Sequence, residues 1–222
     1  PNDIGIEIEA ALAFGTGHHG TTRGCLLALD DLAKHKLQHR KASLRHPEER
    51  AKRASKGGGR SSFEGRLRRP PQDDGQRLAR PRVLDIGTGS GVLAIAAAKI
   101  LSLRVIASDN DPVAVEAARA NARLNGTPAI AFVRAAGAKA RIIAAKAPYD
   151  LIFANILLGP LLRLAVPVRA LTAANARIVL SGLLPSHANA VLAIYRAQGL
   201  TLERRIQIDG WTTLVLRRSP LR

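Results

Sequence analysis

The sequence predicts an α/β fold built on a mostly parallel sheet with helices on both faces. Three observations carry that expectation. Short apolar runs alternate with helical patterns of roughly ten to fifteen residues through the second half of the chain. A glycine-rich turn separates the first strand pattern from the first helix pattern, and Asp209-Gly210, a hairpin signal, divides the last two apolar segments.

The elements follow in order. Pro81-Arg82 leads into a strand at residues 83–86, a glycine turn at 87–91 and an Ala-, Leu- and Ile-rich helix at 92–101 suited to burial. A second strand at 104–108 ends at Asp109. Pro112, suited to a first helical turn, opens a helix at 113–124 that Asn125-Gly126 closes. Strands are expected at 129–133 and 150–154, a helix at 157–171, and a fifth strand at 176–180 ending at Ser181-Gly182. A helix at 185–198 is stopped by Gly199, and segments 201–208 and 211–217 form a closing antiparallel hairpin. Upstream, Cys25, Leu26, Leu29 and Leu32 give residues 23–34 a helical apolar stripe.

Composition narrows the class. The chain has 222 residues, 46% hydrophobic and 23% charged, enough for one α/β domain and unlike a disordered or collagen-like chain. No apolar run approaches the roughly 20 residues of a membrane-spanning helix, and no signal-peptide pattern precedes the first motif, so a soluble cytoplasmic protein is expected. One cysteine, Cys25, supplies neither an internal disulfide nor a cysteine-based metal site. The chain has no methionine and begins at Pro1, which is read as a fragment whose N-terminus lies elsewhere. The formal charge is +17, and residues 35–80 hold 14 Lys and Arg against 5 Asp and Glu, a net +9. With Gly57-Gly58-Gly59, Pro70-Pro71 and few apolar residues, that stretch is expected to be a flexible, solvated insertion between 1–34 and a core at 81–222. A weak contact to RNA is its functional alternative, although Phe63 stands alone and no aromatic series is spaced for base stacking.

Three motifs carry chemistry. Asp85-Ile86-Gly87-Thr88-Gly89-Ser90-Gly91 lies between a strand and a helix, where glycines admit close backbone approach and a helix N-terminus favours an anionic group. Its G-x-G-x-G spacing, with Val92 where a dinucleotide fingerprint needs glycine, disfavours NAD and favours S-adenosylmethionine. The alternative is a tight turn with no ligand. Asp109 stands at the end of the second strand, where a carboxylate accepts both ribose hydroxyls, while Asp111 reads as a helix-start residue before Pro112. Asn155 follows the fourth strand at the same sheet edge, suited to orienting the methionine moiety or accepting a hydrogen bond from a substrate amine; otherwise it simply ends a strand.

The third motif is Phe14-Gly15-Thr16-Gly17-His18-His19-Gly20-Thr21-Thr22. Thr21 and Thr22 are expected where N-cap hydroxyls and free backbone N–H groups gather, suited to a carboxylate. Adjacent His18 and His19 rarely aim at one ion, and no other ligand lies at metal spacing, so no metal is expected; His187 reads as a surface residue or one that stands behind the site.

The runs FGTGHHGTT, LDIGTGSGVLAIAAAK, SDNDPVAVEAARANARLNG, YDLIFANIL and IVLSGLL, with a late GWTTLVL, resemble the catalytic domain of the bacterial ribosomal protein L-eleven methyltransferases (PrmA). The likeness runs in order through nearly all of the chain except residues 35–80. It implies a Rossmann-like class I S-adenosylmethionine-dependent methyltransferase with a seven-stranded sheet and a C-terminal antiparallel hairpin. It further implies cofactor contacts at Thr22, Gly87, Asp109 and Asn155, with help from Phe14, Gly17, Asp85 and Gly89. Three departures stand out: almost nothing precedes Ile4 where the family carries a recognition domain, the basic insertion replaces a short link, and Arg134-Ala135-Ala136-Gly137 stands where an acidic turn is common.

The resemblance implies methyl transfer to lysine and N-terminal amines of a large-subunit ribosomal protein, by a monomeric enzyme, with Asn155 as the candidate catalytic residue. A methyltransferase acting on RNA or on another protein is the alternative, and Asn155-Ile156-Leu157 lacks the N-P-P-Y run expected for amide or adenine amino groups. An inactive cofactor-binding remnant, or a basic RNA-binding protein, is the reading from a different class.

Overall fold

The computed structural model describes residues 4–9, 19–45, 82–138 and 140–219. The chain divides into two compact units, Pro1–Asp30 with Arg80–Arg222, and Asp31–Ala79. Helix α1 (Gly20–Arg45) runs across that division. The helix therefore extends through residues 35–45, which their low apolar content marked as loop. Those residues contain no glycine or proline and are rich in Lys, Arg, Leu, Gln and Ala, so backbone propensity carries the helix without an apolar stripe. Residues 46–80, the rest of the expected insertion, lie outside the described residues, as does Pro81.

The first unit alternates strand and helix as its patterning requires: β1 (Arg82–Ile86), α2 (Val92–Leu101), β2 (Arg104–Asp109), α3 (Pro112–Leu124), β3 (Ala131–Arg134), α4 (Arg141–Ala145) and β4 (Tyr149–Asn155). There follow α5 (Leu158–Arg163), α6 (Ala165–Leu171), β5 (Thr172–Leu183), α7 (Pro185–Ala197), β6 (Leu200–Ile208) and β7 (Trp211–Arg218). The strands form one seven-stranded sheet in the order β3-β2-β1-β4-β5-β7-β6. The first five are parallel, and β7 lies antiparallel between β5 and β6.

Three departures from the expected elements have local causes. The helix expected at 157–171 is two helices broken at Leu164. Pro167 has no N–H for the Arg163 carbonyl, and its ring crowds that carbonyl, which interrupts the ladder there. The third strand begins at Ala131 rather than 129 because residues 127–130 are drawn into a turn, Ile130 N–H donating to the Thr127 carbonyl at 3.3 Å. The fifth strand is longer than 176–180 and starts at Thr172, with an irregular register against β4 and Asn175 at φ 62°. Helix α4 had no counterpart in the sequence reading.

Side chains alternate across the sheet, which assigns them to two cores. Leu84, Ile86 and Ile152 pack in a cluster with Leu161, Val168, Val191 and Tyr195 from α5, α6 and α7. The two buried phenols in that cluster are satisfied by carbonyls: Tyr149 donates to Ile143 at 2.8 Å and Tyr195 to Leu161 at 3.0 Å. Val83 and Asp85 alternate to the opposite face, so a carboxylate is buried there beside α2, whose residues Val92 to Ala97 are all buried. Among the described residues, no helix is long and apolar enough to cross a membrane.

Candidate functional site

The parallel strands end along one edge, and the chemistry-bearing residues collect there. Beyond β1, Gly87, Gly89 and Gly91 all have positive φ, at 72°, 54° and 84°, so each needs the freedom of glycine. The Ser108 carbonyl accepts hydrogen bonds from both Gly87 N–H and Thr88 N–H, at 2.8 and 3.0 Å, pinning the loop to the end of β2. The close approaches at two of these glycines are made by the protein itself. A Cβ on Gly87 would collide with the Ile156 side chain, and one on Gly91 would lie 3.0 Å from the Ala118 Cβ of α3. Gly91 caps α2 in the left-handed conformation.

Asp109 is held by two backbone donors. Gly89 N–H donates to its Oδ2 at 3.0 Å, and Asp111 N–H donates to its Oδ1 at 3.1 Å. A carboxylate offers about four lone-pair positions, so both oxygens keep acceptor capacity for a pair of hydroxyls. Asp111 does what its place before Pro112 predicts: it caps α3, its side chain accepting from Val113 N–H at 2.9 Å.

Asp85 is 1% exposed. Its Oδ2 accepts the Thr88 hydroxyl at 2.6 Å, while its Oδ1 is buried with no hydrogen-bond partner among the described residues. Burial pushes its carboxyl up to about 6; the Thr88 hydrogen bond and the Ala94 backbone N–H oppose this and the Asp109 charge adds to it. A buried carboxylate with one oxygen lacking a close hydrogen bond is costly and suited to a cationic partner.

The first turn of α1 meets the same edge. His19, not Thr21 or Thr22, is the capping residue: its carbonyl accepts from Arg23 N–H at 3.0 Å, and its Nδ1 lies 3.4 Å from Thr21 N and 2.9 Å from Thr21 Oγ1. Thr21 and Thr22 are instead buried within the first turn, where backbone N–H groups still point out of the helix end. The β6–β7 hairpin holds that turn in place. Ser181 at the end of β5 donates to the Thr21 carbonyl at 3.1 Å and shares a 2.8 Å hydrogen bond with the Thr213 hydroxyl of β7. Gly20 and Gly24, one helical turn apart, let the hairpin approach. A Cβ on Gly20 would lie 2.7 Å from the Ile208 carbonyl, and one on Gly24 would overlap the Thr213 hydroxyl. Arg23 pairs with Asp209 at 2.8 Å, and the His19 and Trp211 rings lie 5.0 Å apart. Cys25, fully buried behind this turn, has its thiol pushed up to about 12 by burial, partly offset by a hydrogen bond with Ser181.

Asn155 ends β4 directly beside Ser181 in the register and is half-buried. The residues brought to one edge are thus Thr22, Asp85, Gly87, Gly89, Asp109 and Asn155. Phe14 and Gly17 lie outside the described residues, as does His18. His187 is in the first turn of α7 and half-buried.

A profile of the ribosomal protein L11 methyltransferase (PrmA) family matches residues 1–41 and 73–219. The chain belongs to that family. The curated relatives include ribosomal protein L11 methyltransferases from Bradyrhizobium diazoefficiens, 45% identical over 220 residues, and from Brucella suis, 37% identical over 218. Each match takes in 98% of this chain, with 60% and 62% of the relative, so the chain spans about three fifths of the length of these relatives. Among solved structures, ribosomal protein L11 methylase from Lactobacillus delbrueckii subsp. bulgaricus superposes with a TM-score of 0.69 at 23% identity, covering 97% of this chain and 86% of that one. An RNA methyltransferase from Salinibacter ruber, in complex with S-adenosyl-L-homocysteine, superposes at 0.51 with 18% identity over 64% of this chain and 83% of that one. The fold is the Rossmann-like class I methyltransferase fold.

Three contributors escaped the sequence reading. Ser181 and Thr213 form a hydroxyl relay, and their only sequence signal was a polar residue inside an otherwise apolar run. The Gly20/Gly24 pair is legible as small residues spaced one helical turn apart, which permit close packing on that helix face. Asn121, 1% exposed, bonds the glycine loop at the Ser90 carbonyl, 2.9 Å away.

Proposed function

We propose that this chain is the catalytic part of an S-adenosylmethionine-dependent protein N-methyltransferase whose acceptors are lysine and N-terminal amines of ribosomal protein L11. The observation that carries the reading is Asp109. It is oriented by N–H donors from the glycine loop and from the start of α3, with acceptor capacity left for the two hydroxyls of a ribose. The names of the family and of its relatives give the methyl acceptor.

The residues at this edge fit such a cofactor. Asp85, buried with one unpartnered oxygen, suits the ammonium group of the methionine part, and the N–H groups of the α1 first turn, at Thr22, suit its carboxylate. Gly87, Gly89 and the loop they form would face the adenosyl portion, with Phe14 and Gly17 contributing from the motif before α1. Bound there, the cofactor supplies an electrophilic methyl group on a sulfonium, already activated for displacement. The chain's own task is then positioning and proton control. An amine of pKa about 10.4 must be neutral to attack; loss of water around it at the site favours that form, and in this reading the Asn155 side-chain carbonyl accepts one of its hydrogens and so orients the lone pair. Water takes the proton after transfer.

In the same proposal residues 1–34 and 81–222 form the methyltransferase core, acting as a cytoplasmic monomer. The stretch 35–80 lies outside it, as a net +9 segment able to attract polyanions such as RNA. Calorimetric titration with S-adenosylmethionine tests the central claim. Binding is expected in the intact chain and a loss of about tenfold or more in Asp109→Ala, since the hydroxyl contacts are charge-assisted. Equal affinity in the two proteins would overturn the assignment of Asp109. RNA affinity, if carried by 35–80, falls steeply with salt while cofactor affinity does not.

A further inference from the structure

The backbone of residues 4–9 is held by side chains at α2 and α3 rather than by a strand. Asn125, which caps the C-terminal end of α3, accepts the Glu7 N–H at 3.0 Å through Oδ1 and donates to the Glu7 carbonyl at 2.6 Å through Nδ2. Asn121, one turn earlier, repeats the pattern: Oδ1 accepts the Glu9 N–H at 2.9 Å, and Nδ2 lies 3.4 Å from the Glu9 carbonyl. Lys99 of α2 donates to the Gly5 carbonyl at 2.8 Å and to Asn125 Oδ1 at 3.2 Å. Gly5, Glu7 and Glu9 are alternate residues, so their backbone groups face the same way in an extended chain. Two residues of strand rise about 6.7 Å and four of helix about 6.0 Å, so the i, i+4 asparagines match the repeat. Their amides imitate a strand edge.

Asn121 does one thing more. Its Nδ2 also donates to the Ser90 carbonyl at 2.9 Å, between Gly89, whose N–H holds Asp109, and Gly91, which caps α2. The same buried amide thus joins Glu9, five residues upstream of Phe14 in the chain, to α3 and the glycine loop. We propose that Asn121 is a positioning residue for the cofactor site: it fixes the glycine loop in register with the backbone of residues 4–9, so that the placement of that segment sets cofactor affinity. The inference rests on the S-adenosylmethionine reading above.

The test uses the full chain with Asn121→Ala, Asn121→Asp and Asn125→Ala, the last removing the Glu7 pair together with the Lys99 contact and a bond to the Asn121 carbonyl at the half-buried end of the helix, while leaving the Asn121 side chain in place. Amide exchange at Glu7 and Glu9 in the cofactor-free protein reads the clamp whether or not the cofactor reading holds. Protection is expected in the parent chain, its loss at Glu9 in Asn121→Ala, and its loss at Glu7 in Asn125→Ala. Calorimetry with S-adenosylmethionine, well below the melting temperature, reads the coupling. Asn121→Ala is expected to bind about tenfold more weakly, the effect of one buried hydrogen bond. Asn121→Asp keeps an acceptor for Glu9 and loses the donor to Ser90, so it is expected to recover Glu9 protection without recovering affinity. A purely structural role would lower the melting temperature and leave the affinity of the folded protein unchanged, which overturns the proposal. So would Asn121→Asp recovering affinity together with protection, or a parent chain whose Glu9 amide exchanges freely. If the parent chain binds no S-adenosylmethionine but shows the protection pattern, the cofactor reading fails and takes the affinity claim with it.

Discussion

Replacing Asp85 by Asn is expected to stabilise the cofactor-free protein while impairing its site. The Asp85 carboxyl is raised from 3.8 to about 6, chiefly by burial, with the Thr88 hydroxyl already opposing the shift. Because the folded value lies above the unfolded one, the native state holds a proton that the unfolded chain releases between those values. Below about 4 both states are protonated and the group costs nothing relative to a neutral isostere. As pH rises through the window stability is lost, and above about 6 the full penalty remains. Roughly two units at 1.36 kcal/mol each give about 3 kcal/mol. Asn keeps an oxygen for the Thr88 hydroxyl and carries no charge, so Asp85→Asn is expected to recover most of that above pH 6.

Urea denaturation of both proteins at pH 8 and pH 4.5 measures it. The advantage of the variant is expected to be about 3 kcal/mol at pH 8 and about 1 kcal/mol at pH 4.5, from the same linkage relation. In thermal scans at pH 8 it corresponds to roughly 6–12 °C, at 2–4 °C per kcal/mol for chains of this size. A variant no more stable than its parent at pH 8, or an advantage independent of pH, would refute the claim that an ionised, half-satisfied carboxylate is buried there. Cofactor affinity should move the other way, falling by about tenfold or more as a charge-assisted contact to the ammonium is lost.

Two further outcomes follow from the packing around α1. Gly24→Ala is expected to destabilise by about 1–2 kcal/mol, because overlap with the Thr213 hydroxyl outweighs up to about 1 kcal/mol of helix propensity. In a Thr213→Ala background the sign is expected to reverse, and a double-mutant cycle in urea would read the coupling. Cys25, buried and with its thiol raised to about 12, is expected to resist a disulfide reagent at pH 8 in the native protein and to react stoichiometrically once unfolded; fast native labelling would contradict its burial.

Most of the sheet was legible because its residues obey one local rule each. The strand, glycine turn and helix of 83–101, and the Asp209-Gly210 hairpin, need no information from elsewhere in the chain. The misreadings lie where two rules compete. The run at 157–171 has a helical period throughout, but Pro167 removes one backbone donor and splits it. Residues 35–45 lack an apolar stripe, but nothing in them breaks a helix, and propensity prevails.

At the site the same division holds. Asp109 and the glycine turn announce themselves because strand end, spacing and residue type coincide. Asn121 does not, because its partners at Glu9 and Ser90 are 112 and 31 residues away in the chain. Even so, the sequence held a trace of it. Asparagine is a poor helix former, and Asn121 stands inside α3, one turn before the Asn125 cap, where alanine, leucine or glutamate could have stood without loss of helix. A residue inside a helix that costs local stability implies a partner outside the helix that needs both an acceptor and a donor. An extended backbone is such a partner, since it offers an N–H and a carbonyl on the same side at every second residue. Reading an unfavourable residue inside a helix, one turn before an asparagine cap, as the mark of a docked segment would have predicted the clamp, though not which segment fills it.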